Sequence, residues 1–152
     1  MTLLSFNELE PGQHFTSHRR TLTETDHQLF MMLSGDWSPI HADADYARAH
    51  KLGQRILHGG LGIALTLGLQ TSALEFADPL LGALGLAEWT FRAPLFIGDT
   101  VFVEVEILDK RVTSDGRKYV LRRQLRLLKS DNTLSQEGIA SALMALPAGV
   151  PQ

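Results

Sequence analysis

The segment that most constrains the fold runs from Gly59 to about Phe76 and is apolar on nearly every side of a predicted helix. A helix without a polar face belongs inside a fold rather than on its surface. Its most apolar stretch, residues 61–74, is interrupted by Thr66 and Gln70 and falls short of the roughly 20 residues that cross a bilayer. We therefore expect a central helix that the rest of the chain wraps.

The chain after this helix changes to the period of two that is typical of β-strands. The predicted strands are AEWTFRAP at 87–94, VFVEVEIL at 101–108, KYVLRRQLRLL at 118–128 and EGIASALMAL at 137–146, with residues 15–23 as a weaker candidate. One buried helix beside an antiparallel sheet is an α+β architecture.

Turn residues separate the predicted strands. Asp115-Gly116 is a strong hairpin signal, and Gly98-Asp99 and Ser130-Asp131-Asn132 mark further turns. One small sheet does not cover a helix that is apolar all round, so we expect a homodimer to cover the remainder. Gly62 and Gly68 would allow close backbone approach there.

Length and composition exclude several classes of protein. The 152 residues have the size of one domain and contain no linker or repeat, which predicts a single domain over 1–152. The absence of cysteine excludes disulfides, thiolate zinc sites and a cysteine nucleophile. A net charge of −3 without a long basic run argues against nucleic acid or a membrane as partner. The N-terminus lacks signal-peptide features, so we expect a cytoplasmic protein.

A first helix is predicted before the central one. Thr23-Glu24-Thr25-Asp26 has the form of a capping box, with Thr23 as N-cap, and Gly35 suits the end of the helix. Leu29, Phe30 and Leu33 follow at helical spacing and predict its apolar face. A second short helix is predicted from Asp43 to about His50.

The loop after the first helix carries Asp36 and His41, five residues apart. Ser38 and Pro39 favour a type I turn that would bring the two side chains to one spot, where they could act as an acid/base pair. The negative end of the preceding helix would make Asp36 harder to ionise. Both residue types are also common in turns, where they only satisfy backbone groups. Spacing alone leaves both interpretations open.

A second candidate cluster, ILHGGLG at residues 56–62, opens the central helix with glycines. Free backbone N–H groups at a helix N-terminus can hold an anion or a developing oxyanion. The glycines could equally serve only the turn or the packing. This motif alone therefore assigns no function.

Taken together, the two clusters resemble the MaoC-like dehydratases, the family of (R)-specific enoyl-CoA hydratases. Residues 30–47, FMMLSGDWSPIHADADYA, resemble the hydratase motif of that family. Residues 55–69 resemble the start of its central helix, and residues 91–107 resemble its strand-turn-strand segment. The usual Asn before the Pro is Ser38 here, and Leu67 stands where some hydratases have a Ser.

The resemblance implies a single hotdog fold, in which a long central helix is wrapped by an antiparallel β-sheet, usually as a homodimer. It implies reversible addition of water to a trans-2-enoyl-CoA or related thioester. Asp36 and His41 would hold the catalytic water, and the backbone N–H of Gly59 would bind the thioester oxygen. No metal or redox cofactor is required, and CoA enters only as part of the substrate. Tentative substrate-binding residues are Ser38, Trp37, His58, Gly60, Arg48, Lys51 and Arg55.

Two other functions stay open. The HGG stretch is also found in some hotdog thioesterases, although residues 61–73 contain no carboxylate of the kind those enzymes use. A non-catalytic subunit that binds an acyl thioester is the other alternative, and Ser38 and Leu67 motivate it. Release of free thiol would identify the first, and binding without turnover the second.

Overall fold

The computed structural model describes residues 2–148, so residues 1 and 149–152 of the predicted domain lie outside the described part of the chain. Four helices and eight strands follow one another in the described residues. The elements are β1 (Thr2–Leu4), β2 (His14–Thr16), β3 (Arg20–Thr21), α1 (Glu24–Ser34), α2 (Pro39–Ala42), α3 (Ala44–Ala49), α4 (Gly59–Ala73), β4 (Leu74–Phe76), β5 (Leu80–Phe91), β6 (Thr100–Val112), β7 (Lys118–Lys129) and β8 (Leu134–Ala145).

The main sheet is antiparallel, with strand order β2-β6-β7-β8-β5, and β3 also pairs with β6. Helix α4 packs across this sheet and places Leu61, Leu65 and Leu69 in one core cluster with Val103 and Leu125. The predicted α+β class is confirmed, because one long helix lies on an antiparallel sheet. No helix in residues 2–148 is long and apolar enough to span a membrane.

Several predicted boundaries were wrong, among them the end of β6 and the start of β8, and two show how pairing with distant strands decides where an element begins or ends. Helix α4 ends at Ala73 rather than near Phe76, since Leu74–Phe76 pairs in parallel with β1. Strand β5 begins at Leu80 rather than at residue 87, because it pairs with β8 along its whole length. Bulges interrupt that pairing and hide the alternation in the sequence.

The predicted apolar face of α1 was also wrong. Leu29 is exposed and Leu33 is 84% exposed, whereas His27 and Met31 are buried and Phe30 packs partly against the core. The capping box at Thr23 is confirmed.

Helix α4 is covered on one side only. Its exposed positions recur at helical spacing and include Leu67, and most of the large apolar side chains of β5 are exposed as well. The expectation that the sheet would not cover the helix is confirmed. The homodimer that would cover the rest stays a prediction. The exposed positions are Gly60, Ala64, Leu67, Gly68 and Thr71 on α4, and Leu80, Leu81, Leu84, Leu86 and Phe91 on β5.

Candidate active site

The loop between α1 and α3 folds back as the sequence predicts. Gly35 ends α1 with φ of 71°, a left-handed conformation that suits glycine. Ser38 is extended, and the N–H of His41 donates to its carbonyl at 2.8 Å, so the predicted turn forms and continues into α2. The Nε2 of His41 then lies 3.9 Å from the Oδ2 of Asp36. The two predicted residues therefore meet.

The Asp36 carboxylate is held at one oxygen and open at the other. Its Oδ1 accepts hydrogen bonds from the hydroxyl of Ser38 at 2.5 Å and from the N–H of Ser38 at 3.1 Å. These bonds hold the pKa of Asp36 below its usual value. The expectation that the helix end would make Asp36 harder to ionise was wrong, because the two Ser38 donors outweigh a dipole that acts near solvent. The side chain is 46% exposed, so Oδ2 can reach water.

His41 is fixed in one tautomer. Its Nδ1 lies 2.7 Å from the carbonyl oxygen of Ile56, and since a carbonyl only accepts, Nδ1 carries the proton that is donated. In the neutral imidazole, Nε2 then keeps its lone pair and faces Asp36. The pair therefore offers two acceptors to one bridging water.

His58, the residue before α4, braces the loop. Its Nε2 lies 3.0 Å from the carbonyl oxygen of Asp36 and 3.5 Å from its Oδ2. Its ring is buried and stacks on His41 with centroids 3.7 Å apart. In the structure His58 contacts the loop that carries Asp36 and His41, and its contact with substrate stays a prediction.

A third histidine, beside His41 and His58, was missed by the sequence analysis. His27 on α1 is fully buried, lies 5.5 Å from His58 between ring centroids, and has no hydrogen-bond partner at either ring nitrogen among residues 2–148. Burial lowers the pKa of His27 to about 4, with further lowering by the Arg55 charge. It is therefore neutral at pH 7. Only the folded protein shows this burial, so no signal in the sequence marked His27.

The three histidines raise the question of a metal ion, since one nitrogen from each lies within 4.8 Å of the others. An imidazole binds zinc near its ring plane at about 2.0–2.1 Å. The rings of His41 and His58 are stacked with planes only 24° apart, so these planes do not converge on a point at that distance. Each of these two rings also directs one nitrogen at a backbone carbonyl. The rings would have to turn before they could share an ion.

The N-terminus of α4 presents free backbone donors. The N–H groups of Gly59 and Gly60 have no hydrogen-bond acceptor in the described part of the chain. The Gly59 carbonyl accepts from Gln136 Nε2 at 3.2 Å, and Gln136 accepts in turn from Trp89 Nε1 at 3.1 Å. A side chain at residue 59 would stand 2.7 Å from the Phe91 ring. These contacts restrain Gly59, and a side chain there would require the exposed Phe91 ring to move.

A cavity of about 300 Å³ adjoins this end of the helix and is lined by Gly59, Phe91 and Gln136 among others. It gives a ligand access to the Gly59 backbone. Gln136 and Trp89 were not predicted as site residues, because only the folded sheet brings them to the helix.

The predicted cationic residues have different surroundings. Arg48 pairs with Asp45 at 2.7 Å and Arg55 with Glu24 at 2.6 Å, and both arginines line one cavity of about 310 Å³. Lys51 is exposed. Of the other predicted substrate-binding residues, Trp37 and Gly60 are exposed.

Comparison with known proteins gives relatives of one kind. The chain is 35% identical over 103 residues to an (R)-specific enoyl-CoA hydratase from Rhodospirillum rubrum, covering 67% of this chain and 68% of that protein. It is 35% identical over 108 residues to Protein MaoC from Klebsiella aerogenes, covering 71% of this chain and 31% of that protein. The match thus spans about a third of the length of the second relative.

Solved structures agree with the fold. The R-hydratase PhaJ1 from Pseudomonas aeruginosa superposes with a TM-score of 0.72 at 30% identity, covering 96% of this chain and 92% of that chain. A Mycobacterium tuberculosis protein with a double hotdog fold gives a TM-score of 0.84 at 19% identity, covering 97% of this chain and 46% of that chain. The predicted hotdog fold is confirmed. The family model described as MaoC like domain matches residues 6–126, and the chain therefore belongs to the MaoC-like domain family.

Proposed function

We propose that this chain is a hydro-lyase that adds water reversibly to a trans-2-enoyl thioester and gives an (R)-3-hydroxyacyl thioester. The observation that carries the proposal is the 3.9 Å approach of the half-exposed Asp36 carboxylate to the Nε2 lone pair of His41. Two polar atoms at that separation are suited to bridging by one water. The (R)-hydratases among its relatives support this reaction and its stereochemistry.

Both atoms that face the proposed water are acceptors, so they orient its two hydrogens and leave an oxygen lone pair for C3 of the enoyl group. As the C3–O bond forms, the pair removes one proton from the water. A proton returned from the pair to C2 completes the addition, and the double bond is consumed. Positioned proton transfer of this kind contributes about 10²–10⁴-fold in rate.

The negative charge that develops on the thioester oxygen would be bound by the N–H of Gly59. Donors at a helix N-terminus are aimed before the reaction and favour negative charge. The hydrogen bond from Gln136 Nε2 to the Gly59 carbonyl at 3.2 Å restrains the following peptide unit, which shares the Gly59 Cα with the proposed donor. Arg48 and Arg55, which share one cavity, would meet the phosphates of CoA or of a carrier arm.

We also propose that the working form is a homodimer. The exposed stripe of α4 and the exposed leucines of β5 support this, because contiguous apolar surface marks interaction sites. Analytical ultracentrifugation is expected to give the mass of two chains. A monomer at micromolar concentration would overturn this part of the proposal.

The first experiment is incubation of the purified protein with trans-2-butenoyl-CoA. Ultraviolet absorbance follows the conjugated thioester, and free thiol is assayed in the same samples. We expect absorbance to fall without thiol release, and chiral analysis to give the (R)-3-hydroxy product.

The other outcomes separate the alternatives. Thiol release would indicate a thioesterase. Binding without turnover across short and long enoyl-CoA substrates would indicate the non-catalytic subunit, and either result would overturn the hydratase proposal.

A further inference from the structure

An arginine occupies a core position of strand β7. The inward-facing positions of this strand alternate with outward-facing ones, and Arg123 lies between the fully buried Leu121 and Leu125. Arg123 is itself only 8% exposed. Burial of a charge is costly unless an opposite charge or hydrogen bonds compensate for it. The strand therefore places a cation where packing favours an aliphatic side chain.

The guanidinium is poorly matched by the protein around it. One Nη1–H donates to the Oε1 of Gln70 on α4 at 2.9 Å, and the ring centroid of Phe76 lies 5.3 Å away. The buried Nε has no partner, and no carboxylate oxygen lies within 4.0 Å of the group in residues 2–148. Burial lowers the pKa of Arg123 to about 10, which leaves it cationic at neutral pH. A neutral carbonyl and a ring do not balance that charge.

The same arginine lines a pocket of about 400 Å³ between α4, β5 and β8. Its walls are mainly aliphatic and include Leu74, Leu86 and Ala142. Glu75 also lines the pocket, from an exposed position outside ion-pair distance of Arg123. Mostly apolar walls with one placed charge are typical of a small-molecule site.

We propose that this pocket binds a carboxylate carried on an aliphatic body, with the carboxylate on Arg123 and the body against the leucine and alanine side chains. A guanidinium binds a carboxylate through two parallel N–H···O bonds, and such bidentate pairs are among the stronger hydrogen bonds in proteins. Nε is sealed from solvent, whereas Nη2 has no hydrogen-bond partner in residues 2–148 and is not sealed, so the donors for a ligand are at the Nη end of the guanidinium. The site is separate from the Asp36 loop and does not depend on the hydratase proposal. Its rim shares Leu67, Leu80 and Leu86 with the surface proposed for the homodimer, so the pocket must stay open beside that interface for a ligand to enter.

Two sources could supply this chemistry. One is the far end of a thioester's acyl group, and the other is a free carboxylic acid. Gln70, the partner of Arg123, follows Gly59 by eleven residues on α4, which is about 16 Å along the helix. An acyl group that reached both places would have to be long.

Isothermal titration calorimetry of the full chain with hexanoate tests the site, with hexanol as a probe that lacks the carboxylate. Arg123→Met removes the charge and keeps an unbranched apolar side chain. Arg122→Met is the matched control, because Arg122 is the exposed neighbour and pairs with Asp109 at 2.8 Å. We expect hexanoate to bind the wild type and R122M equally and R123M at least about 10-fold more weakly. Hexanol should not distinguish the three proteins.

Equal hexanoate affinity in the wild type and R123M would overturn the proposal. So would the absence of saturable binding in the wild type, the result expected if a second copy of the chain closes the pocket. Circular dichroism of R123M separates loss of the site from loss of the fold.

The source is identified with two long trans-2-enoyl-CoA substrates of equal length, one ending in a carboxylate and one in a methyl group. If the acyl end occupies the pocket, kcat/KM for the carboxylate-ended substrate, divided by kcat/KM for the methyl-ended one, falls at least about 10-fold in R123M and stays constant in R122M. If a free acid occupies it, that ratio is the same in all three proteins while R123M loses hexanoate binding. Hydration of trans-2-butenoyl-CoA but of neither long substrate would exclude the acyl end as the source. Failure of the wild type to hydrate any of the three substrates would overturn the hydratase proposal and leave the binding result standing.

Discussion

Polar side chains are hydrogen-bonded to different extents near the two ends of helix α4. At the N-terminal end, His41 and His58 each direct a ring nitrogen at a backbone carbonyl, and Ser38 holds one oxygen of Asp36. Beside the C-terminal half, Arg123 has one amide oxygen as partner and no carboxylate oxygen within 4.0 Å among the described residues. The first end is organised around one open carboxylate oxygen, as acid/base chemistry requires. The second end leaves the buried positive charge of Arg123 for a ligand to balance.

Asp36→Asn tests whether the N-terminal end is the catalytic one and should give the largest effect. The amide keeps the size of the side chain but does not accept a proton, so turnover of an enoyl-CoA should fall by about 10²–10⁴-fold. Steady-state kinetics checks this, with urea unfolding to show that stability is retained. Asp109→Asn, on strand β6, is the matched control and should behave as the wild type. Activity of D36N within about tenfold of the wild type would remove Asp36 from the mechanism.

His27→Leu tests whether burial holds the His27 imidazole neutral. The pKa of His27 is about 4 in the folded protein against an ordinary 6.5, so the unfolded chain binds this proton more readily between those values. Stability from this group is complete above pH 6.5 and is lost as the pH falls towards 4, by roughly 3 kcal/mol over the window. Removal of the imidazole should flatten this dependence.

Urea unfolding at pH 4.5, 5.5 and 7 measures it, and the exposed His14→Gln serves as control. Equal dependence on pH in H27L and the wild type would show that His27 does not titrate as its burial implies.

Arg123→Met tests whether the buried charge of Arg123 lowers the free energy of unfolding. Replacement of a buried charge by an apolar residue of similar volume is often neutral or stabilising. We expect the free energy of unfolding at pH 7 to rise by about 1 kcal/mol in R123M and to change by less than about 0.5 kcal/mol in R122M. A clear loss of stability in R123M would show that the fold already pairs this cation.

The features that the sequence predicted correctly depend mainly on residues close together along the chain. The capping box at Thr23, the end of α1 at Gly35 and the meeting of Asp36 with His41 all depend on residues within a few positions of one another. Backbone preferences of glycine and proline operate over that range. The α+β class followed from one apolar helix and the strands after it, and the hotdog fold from the resemblance to the MaoC-like dehydratases.

What the sequence did not predict depends on residues far apart along the chain. Leu29 and Leu33 predicted an apolar face on the wrong side of α1. The inward position is His27, a polar residue whose burial only the folded protein shows. His58 meets Asp36 across 22 positions, and Arg123 meets Gln70 across 53. The alternation of β7 did mark Arg123 as an inward-facing charge, so this signal was available in the sequence.

Ser38→Ala has the smallest expected effect and tests whether the Ser38 hydroxyl sets the pKa of Asp36. The Ser38 hydroxyl is the foremost cause that holds the pKa of Asp36 below its usual value, so its removal should raise that pKa. Because the carboxylate is then protonated at a higher pH, the acidic limb of the kcat/KM profile should move upwards in pH. Near pH 7, far above the ordinary pKa of about 3.9, the rate should fall by no more than about tenfold. Ser38→Thr keeps the hydroxyl and should restore the wild-type limb. An unchanged limb in S38A would mean that proton loss from Asp36 does not set the acidic side of the profile.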